Sequence, residues 1–427
     1  MDRIAMVSSD GHAGVLLAAY RPYLEKRYLA DFDDYERSLK VFWQETKPMP
    51  AVAAERNAVA KRCRFMDSKG RLEDLEQNGV VSEVLFPGAS PETNPPWSDF
   101  LSSGSFRGRT APQRELQGAG ERAYNRWLAE FCQDAPKDRR LGLALIPFWD
   151  VQSAVREIHW AADQDLRGVT LPFFNYDVPE YCHGWHWDPI WRACEERRMS
   201  VNFHGGYGTT ETGPHEVLLG LEHMFYCKRV IGHLLLSGVF DRFPKLQAAM
   251  TESMAGWVPP ALAEMDVLYD ANKAAADNPV LFADPNLPER RPSEYWGGEN
   301  FFVGVSVANS QEMALRHQIG VDSMMYGIDY PHPEGPWGQA ETWMQATLGR
   351  AGVSETEARK ILGENAARLY RVDLEALAPV IERIGPRIED VLHDASAAQM
   401  GALMSEMSAT GRGLAVQQYG LVEKQTA

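Results

Sequence analysis

Eight short apolar runs of strand length recur along the chain, and longer stretches with helical spacing separate them. The runs cover residues 4–9, 80–86, 141–147, 168–172, 200–204, 246–251, 301–306 and 324–329, and the helical patterns cover residues 64–77, 115–133, 151–164, 189–198, 216–229 and 257–273. Strands that alternate with helices predict βα units around a parallel sheet. Eight such units favour a (β/α)8 TIM barrel, of the α/β class, over an open sheet.

Three parts of the chain do not follow this repeat. Residues 31–62 and 89–117 are long, polar and rich in Pro, Gly or Ser, which predicts loop insertions that cap the barrel. After residue 372 apolar side chains continue at helical spacing, but Pro379 and Pro386 interrupt them. We therefore expect a distorted barrel over residues 1–372 and a C-terminal helical arm or tail over residues 373–427.

The overall composition restricts the class of partner. The net charge of −16 argues against nucleic acid and anionic membrane as main partners, because such surfaces require clustered Lys and Arg. The five Cys residues are scattered and form no C-x-x-C pair, which indicates reduced thiols in a cytoplasmic protein. We expect no signal peptide, and no apolar window approaches the roughly 20 residues that span a bilayer.

Acidic and imidazole side chains follow four of the predicted strands. They are Asp10, His12, His204, Glu252, Asp329 and His332, from the first, fifth, sixth and eighth strands. The C-terminal ends of barrel strands converge on one face, where such enzymes place their chemistry, so we expect these side chains to lie together. Mixed imidazole and carboxylate ligands suit Zn²⁺, Mn²⁺ or Fe²⁺. The sequence therefore predicts a divalent metal site at the mouth of the barrel.

Each of these residues also has an ordinary structural explanation. A His after a strand is usually a hydrogen-bonded rim residue, an Asp before Tyr-Pro commonly caps a turn, and Glu252 could cap the helix that follows it. Their occurrence at four strand ends favours the metal interpretation. A bound ion would polarise a substrate oxygen or acidify a water molecule, with Glu252 carrying the proton. We expect one ion, while Glu252 and His332 as additional ligands leave room for a second.

Six segments of the chain together resemble a known family. They are Ser9-Asp10-Gly-His12, Asn202-Phe-His204, Val239-Phe-Asp-Arg-Phe-Pro, Thr251-Glu-Ser-Met-Ala-Gly-Trp257, Tyr326-Gly-Ile-Asp329-Tyr-Pro-His332 and Leu362-Gly-Glu-Asn365-Ala-Ala-Arg. This set resembles the amidohydrolase-related branch of the amidohydrolase superfamily, which includes aminocarboxymuconate-semialdehyde decarboxylase. The resemblance implies a distorted (β/α)8 barrel with one catalytic divalent metal. It also implies the metal ligands, which would be Asp10, His12, His204 and Asp329.

Two positions depart from the decarboxylases that this branch resembles. Their sixth strand ends in a catalytic His where this chain has Glu252, and Asp10 and His12 replace a His-x-His pair. We therefore expect a metal-dependent hydrolase in which Glu252 transfers the proton and Asp329 and His332 complete the catalytic group. Three further functions stay open: a nonoxidative decarboxylase of an aromatic or unsaturated acid, a di-iron non-haem oxygenase, and a catalytically silent barrel that serves an active paralogue.

Aromatic residues near the predicted strand ends indicate what kind of substrate the pocket would bind. Phe174, Tyr207 and Trp296 predict an apolar pocket for a small cyclic or branched organic molecule, although a capped barrel needs such side chains equally for its own packing. For assembly we expect a homo-oligomer, most simply a dimer. A hetero-oligomer with a paralogue would accompany the catalytically silent barrel.

Overall fold

Parallel pairing joins the strands into a single sheet. The computed structural model describes residues 2–45, 64–88, 91–98, 110–173, 178–205, 217–275, 284, 286–297, 299–332 and 335–409. Within these ranges the strands are β1 (Met6–Ser8), β2 (His12–Ala13), β3 (Val80–Pro87), β4 (Arg140–Leu145), β5 (Gly168–Leu171), β6 (Ser200–His204), β7 (Ala248–Thr251), β8 (Phe301–Ser306) and β9 (Met324–Gly327). The sheet order is β1-β3-β4-β5-β6-β7-β8-β9, and the short β2 pairs with the end of β3.

The sheet closes where its first and last strands meet. Three backbone N–H groups donate across this contact, at 2.9, 3.2 and 2.7 Å: Ser9 to Tyr326, Asp329 to Asp10, and His12 to Tyr330. We call the contact between residues 9–12 and 326–330 the seam. Because the seam joins the two edges of the parallel sheet, the predicted (β/α)8 barrel is confirmed.

Helices connect the strands and cover the barrel. The longer ones are α1 (Leu29–Glu45), α2 (Ser68–Gln77), α3 (Ala111–Gln133), α4 (Val151–Asp163), α5 (Gly184–Arg197), α6 (Val217–Leu236) and α7 (Val258–Ala275). Shorter helical turns span Leu17–Tyr23, Lys26–Tyr28, Pro91–Thr93, Val239–Arg242, Pro292–Tyr295, Ser310–Ala314, Arg316–Ile319, Ala340–Met344, Gln345–Gly349, Glu355–Arg359, Lys360–Glu364 and Asn365–Tyr370. Side-chain caps start several of the helices; Asp150, for example, accepts a hydrogen bond from the N–H of Ser153 at the start of α4.

The first predicted loop insertion, residues 31–62, is corrected by the structure. Its first part lies in α1, whose Phe32 is fully buried against Ala119 and Ala123 of α3. This apolar contact with another helix stabilises a segment whose own sequence is rich in charge. The second predicted loop, residues 89–117, is also corrected at its end, because residues 111–117 belong to α3; before them the chain forms the turn at Pro91–Thr93. Residues 46–63, 89–90 and 99–109 lie outside the described residues.

A helical arm follows the barrel, as predicted. It consists of α8 (Ala378–Ile384), a turn at Ile388–Val391 and α9 (Ala397–Ala409). The N–H of Ile4 donates to the carbonyl of Pro386 at 2.9 Å, and Leu403 of α9 is fully buried. The arm therefore packs on the barrel beside the first strand. Among the residues described, no helix combines the length and the apolar character needed to cross a membrane.

Candidate metal centre

Asp10 is the central acidic group of the site. It follows β1 and is fully buried, and its Oδ2 accepts a hydrogen bond from the hydroxyl of Ser306 at the end of β8. The other oxygen, Oδ1, lies 3.2 Å from Nε2 of His204 and 3.7 Å from Nε2 of His12. Sequence reasoning missed Ser306, although its place at a strand end is the signal that identifies Asp10. The serine holds the carboxylate so that one oxygen faces both imidazoles.

His204 ends β6 with both of its ring nitrogens engaged. Nε2 faces Asp10, while Nδ1 donates to the carbonyl of Gly205 and lies 3.5 Å from Oε2 of Glu252. Burial opposes protonation of this imidazole, but the charge and hydrogen bond of Asp10, together with the charge of Glu252, outweigh it and raise the pKa of His204 to about 9. The surroundings of this ring therefore favour a cation at Nε2.

Asp329 and His332 reach the site from the end of β9. Oδ1 of Asp329 lies 3.5 Å from Nε2 of His12, and the ring centroids of His12 and His332 are 4.3 Å apart. Burial, followed by the charges of His332 and His204, lowers the pKa of His12 well below its ordinary value. His12 is therefore neutral, which is the form of imidazole that binds a metal ion.

The backbone at Asp329 supports a functional role for this residue. Its φ of 52° lies in the left-handed region, which costs free energy for a residue other than Gly and is concentrated at functional sites. The N–H of Asp329 donates to the carbonyl of Asp10 across the seam, which holds the residue in this conformation.

The donor set fits a divalent ion. The donor atoms of Asp10, His12 and His204 all lie within 4.8 Å of one another, and so do those of His12, Asp329 and His332. Adjacent ligands around an ion at about 2.1 Å are roughly 3.0–3.4 Å apart. The separations of 3.2, 3.5 and 3.7 Å between these nitrogens and oxygens are close to that range. Buried imidazoles and carboxylates at such distances suit one borderline divalent metal.

An apolar ring borders the donors. Phe86, near the end of β3, has its ring centroid 4.4 Å from that of His204 and 6.1 Å from that of His12. A wall of low polarity strengthens electrostatic interactions within the site. Sequence reasoning missed Phe86, because an apolar side chain in a strand is ordinarily part of the core.

Glu252 approaches the site from behind His204. Its carboxylate is near Nδ1, the ring nitrogen that does not face Asp10, and its side chain is 23% exposed. The loop that follows Glu252 is held by the buried Glu312, which accepts a hydrogen bond from the N–H of Ala255 at 2.5 Å. A carboxylate in this position can orient His204 and increase its basicity as a ligand.

The structure does not bring Trp296 to the site. Its ring stacks on Phe301, the first residue of β8, and its indole N–H donates to the carbonyl of Ile319 at 2.6 Å. The prediction fails because Trp296 precedes its strand, whereas residues that follow a strand reach the face that carries the site. The other two aromatic residues of that prediction, Phe174 and Tyr207, lie outside the described residues.

Three solved structures have a fold similar to that of this chain. The 5-carboxyvanillate decarboxylase LigW from Sphingomonas paucimobilis aligns with a TM-score of 0.60 at 20% identity, over 87% of this chain and 100% of that chain. A 2,6-dihydroxybenzoate decarboxylase from Rhizobium aligns with a TM-score of 0.58 at 20% identity, over 87% and 99%. A dihydroxybenzoic acid decarboxylase from Polaromonas sp. JS666, with bound manganese and the inhibitor 2-nitroresorcinol, aligns with a TM-score of 0.56 at 18% identity, over 86% and 97%.

Sequence comparison gives the family directly. No curated protein sequence matches the chain at a significant level. A family model described as Amidohydrolase, however, matches residues 97–372. The predicted class, a metal-dependent hydrolase or carboxy-lyase of the amidohydrolase superfamily, is confirmed at this level. Since the match covers well over half of its residues, the chain belongs to the amidohydrolase family.

Proposed function

We propose that the protein is a metal-dependent nonoxidative decarboxylase that acts on a small aromatic or unsaturated carboxylic acid. The observation that carries the proposal is the buried donor set Asp10, His12, His204 and Asp329, at the mouth of a barrel of the kind found in the carboxyvanillate and dihydroxybenzoate decarboxylases. The decarboxylase thereby moves ahead of the hydrolase that the sequence favours.

Four side chains would hold the ion. Asp10 and His12 come from the first strand, His204 from β6, and Asp329 from the end of β9. The related Polaromonas decarboxylase binds manganese, so we propose Mn²⁺, with Zn²⁺ and Fe²⁺ as further candidates. When bound, a divalent ion supplies a Lewis acid for a substrate oxygen.

The protein must also supply a proton. In decarboxylation the bond between the substrate carbon and its carboxyl group breaks, CO₂ leaves, and the electron pair left on carbon takes up a proton. His332 can deliver that proton, because its ring lies beside His12 and is partly exposed, so that solvent can restore the proton. A carboxylate oxygen of Asp329 lies within 4.8 Å of a ring nitrogen of His332. Asp329 can therefore accept a proton from His332 or return one to it. Phe86 offers a flat substrate an apolar wall.

Decarboxylation has a direct isotopic readout. We expect the Mn²⁺-loaded protein to release CO₂ from at least one member of a panel of hydroxybenzoic acids. In D₂O the product should carry one deuterium on the carbon that lost the carboxyl group, which NMR of the product measures. Hydrolysis of an ester, amide or lactone without release of CO₂ would contradict the proposal.

The hydrolase stays the second candidate, because Glu252 provides a partly exposed carboxylate beside His204. In a decarboxylase Glu252 orients His204, so Glu252→Gln should lower kcat/KM by roughly 10–100-fold and leave the shape of the pH profile unchanged. In a hydrolase Glu252 is the general base. The same substitution would then remove the acidic limb of the pH profile and lower kcat by roughly 10²–10⁴-fold.

Asp329→Asn tests the centre itself. We expect the variant to bind less Mn²⁺, because the substitution removes a charged ligand. Its turnover should fall by at least about 100-fold, because the substitution also removes a group that accepts and donates a proton. His317→Gln is the control, since His317 is 67% exposed and pairs with Glu357 at 3.2 Å. It should keep wild-type metal content and turnover.

Metal analysis separates the decarboxylase from the oxygenase and from the silent barrel. One equivalent of metal is expected for the decarboxylase. Two equivalents of iron together with oxygen consumption would support the di-iron oxygenase, for which the donors His12, Asp329 and His332 would form the second position. A protein that binds no metal, and in which Asp329→Asn changes nothing, would be the silent partner of an active paralogue.

A further inference from the structure

A buried cation lies behind the seam. Arg71 of α2 is fully buried, and its guanidinium donates two hydrogen bonds of 2.7 Å to the carboxylate of Glu83 on β3. Its remaining nitrogen, Nη1, donates to the backbone carbonyl of His12 at 2.8 Å. The guanidinium carbon is 4.9 Å from the centroid of the Tyr330 ring. One side chain therefore contacts both halves of the seam.

The same helix touches this region at two further positions. One turn after Arg71, Asp74 accepts a hydrogen bond from the hydroxyl of Tyr330 at 2.8 Å. At the end of α2, the side-chain oxygen of Asn78 accepts a hydrogen bond from the N–H of Gly338, in the loop that follows His332. Helix α2 thus contacts both chain segments that carry metal-donor residues, the one that follows the first strand and the one that follows the last strand.

The chemistry of the Arg71–Glu83 pair suits positioning better than stability. Removing two charges from water is unfavourable, and replacing a buried ion pair with apolar side chains of similar volume is often neutral or stabilising. A guanidinium differs from such side chains in presenting its N–H groups as a rigid planar fork. Here the fork is held by Glu83 on one side, so that its third nitrogen meets the carbonyl of His12 in a defined direction.

We propose that Arg71 is a positioning residue for the metal centre. By holding the backbone of His12 and the ring of Tyr330, it keeps the donors of the first strand facing those of the last strand. The proposal rests on the metal-binding part of the proposed function and is independent of the reaction. Arg71 acts through its neighbours and is not itself a catalytic residue.

Replacing the whole ion pair separates positioning from stability. In Arg71→Met/Glu83→Leu both charges of the pair leave together. The buried Arg140, which lies 4.0 Å from Glu83, loses this carboxylate but keeps its hydrogen bonds to Ser68 and to the carbonyl of Phe131. In the absence of metal we expect the double variant to unfold at or above the temperature of the control variant Arg167→Met, which is described below. The Kd of the double variant for Mn²⁺, measured by equilibrium dialysis, should rise by roughly 10–100-fold. The EPR lines of bound Mn²⁺ should also broaden, because the ligands hold a less uniform geometry.

Two further variants keep the test decisive. Arg71→Lys retains a cation beside Glu83, but an ammonium group lacks the fork, so we expect a weaker Kd for Mn²⁺ even if the double variant does not fold. Arg167→Met is the matched control. Arg167 is buried, pairs with Asp138 and donates to the carbonyl of Arg371 at 3.0 Å. It lies just before β5, at the end of the strand that is away from the site. It should lower the unfolding temperature and leave the Kd unchanged.

The outcomes distinguish the two proposals. A wild-type Kd in both Arg71 variants would overturn the positioning role. An equal loss of Mn²⁺ affinity in Arg167→Met would also overturn it, because the effect would then follow general stability. A wild-type protein that binds none of Mn²⁺, Zn²⁺ and Fe²⁺ would instead overturn the proposed function.

Discussion

Asp10 lies so close to β9 that no side chain fits between them. A Cβ placed on Gly327 would be 2.6 Å from Cβ of Asp10 and 3.2 Å from its backbone nitrogen. Real Cβ atoms do not approach other atoms within 3.0 Å, so the contact with Cβ of Asp10 could not form without movement, and the contact with the backbone nitrogen is also tighter than usual. Gly327 is thus a condition for the position of the central carboxylate, and not a source of flexibility.

Substitution at Gly327 should therefore affect both stability and metal binding. We expect Gly327→Ala to lower the free energy of unfolding by about 1–3 kcal/mol, as overpacking in a core does, and to weaken Mn²⁺ binding because Asp10 is displaced. Urea unfolding and equilibrium dialysis measure the two effects. Gly401→Ala is the control, since its added Cβ meets nothing within 4 Å, and it should be neutral or stabilise by up to about 1 kcal/mol. Unchanged unfolding of Gly327→Ala would contradict the prediction.

The proton on His204 gives the centre a pH dependence. Its pKa is raised to about 9 from an ordinary value of 6.5, so in the metal-free protein protonation contributes stability below pH 6.5 that is lost as the pH rises through 9. A divalent ion has to displace this proton. We therefore expect Mn²⁺ affinity to increase by about tenfold per pH unit between pH 7 and 8.5. The measurement is the difference in unfolding temperature with and without Mn²⁺, and a difference independent of pH would contradict the prediction.

Some of these residues could be predicted from the sequence and others could not. The structure places Asp10 and His204 beside His12, and Asp329 and His332 also beside His12, because strand ends converge in a barrel whatever the details of packing. Their role as metal ligands stays a prediction. Arg71 could not be predicted, because a charge on a surface helix is ordinarily solvated, and only the tertiary structure shows that this one is buried.

Among the elements, the C-terminal arm is fastened to α2 by one carboxylate. Glu76, near the end of α2, accepts two hydrogen bonds of 2.6 Å from Arg383 of α8 and one of 3.0 Å from Arg139. The hydrogen bond from Arg383, with the further contribution of Arg139, lowers the pKa of Glu76 from 4.5 to about 2. The helix that carries Arg71 is thereby also joined to the arm.

This contact predicts a stability that depends on pH. Because the folded-state pKa of Glu76 is depressed, its contribution is complete above pH 4.5 and is lost as the pH falls toward 2. We expect Glu76→Gln to lower the free energy of unfolding by about 1 kcal/mol at pH 7, since Arg383 is largely exposed, and to have little effect near pH 2. Urea unfolding across this range measures the difference. Glu382→Gln, at an exposed position of α8, should match wild type at every pH, and an equal effect of both substitutions would contradict the prediction.

Element prediction failed where the decisive contact is distant in sequence. The strands were predictable because each is short, is buried along its whole length and carries apolar side chains between regions of helical spacing. Helix α1 was not, because its polar sequence resembles a loop and the burial of Phe32 depends on α3, nearly ninety positions later. Local pattern shows what a segment can form, and the partner element decides what it does form.

At the scale of the whole molecule, the number of βα units predicted the barrel, but it did not predict the contact that closes the barrel. Closure depends on three backbone hydrogen bonds between residues 9–12 and 326–330, and no local sequence pattern reports them. The domain limits at residue 372 and the cytoplasmic location stay predictions. So does the homodimer, for which light scattering should give twice the chain mass of 47.9 kDa; a single chain mass would contradict it.

The seam also sets an order of events in the life of the protein. Asp10 and His12 leave the ribosome before Asp329, which emerges only after all the strands of the barrel have been made. On the proposed metal site, a full coordination sphere can therefore form only in a chain whose synthesis has passed the last strand and whose two edges have docked. Metal binding would then distinguish completely folded molecules from incompletely synthesised or incompletely folded ones. Without the metal, the first and last strands would be joined by their apolar packing, the hydrogen bonds of the seam and Arg71, but not by a shared ion.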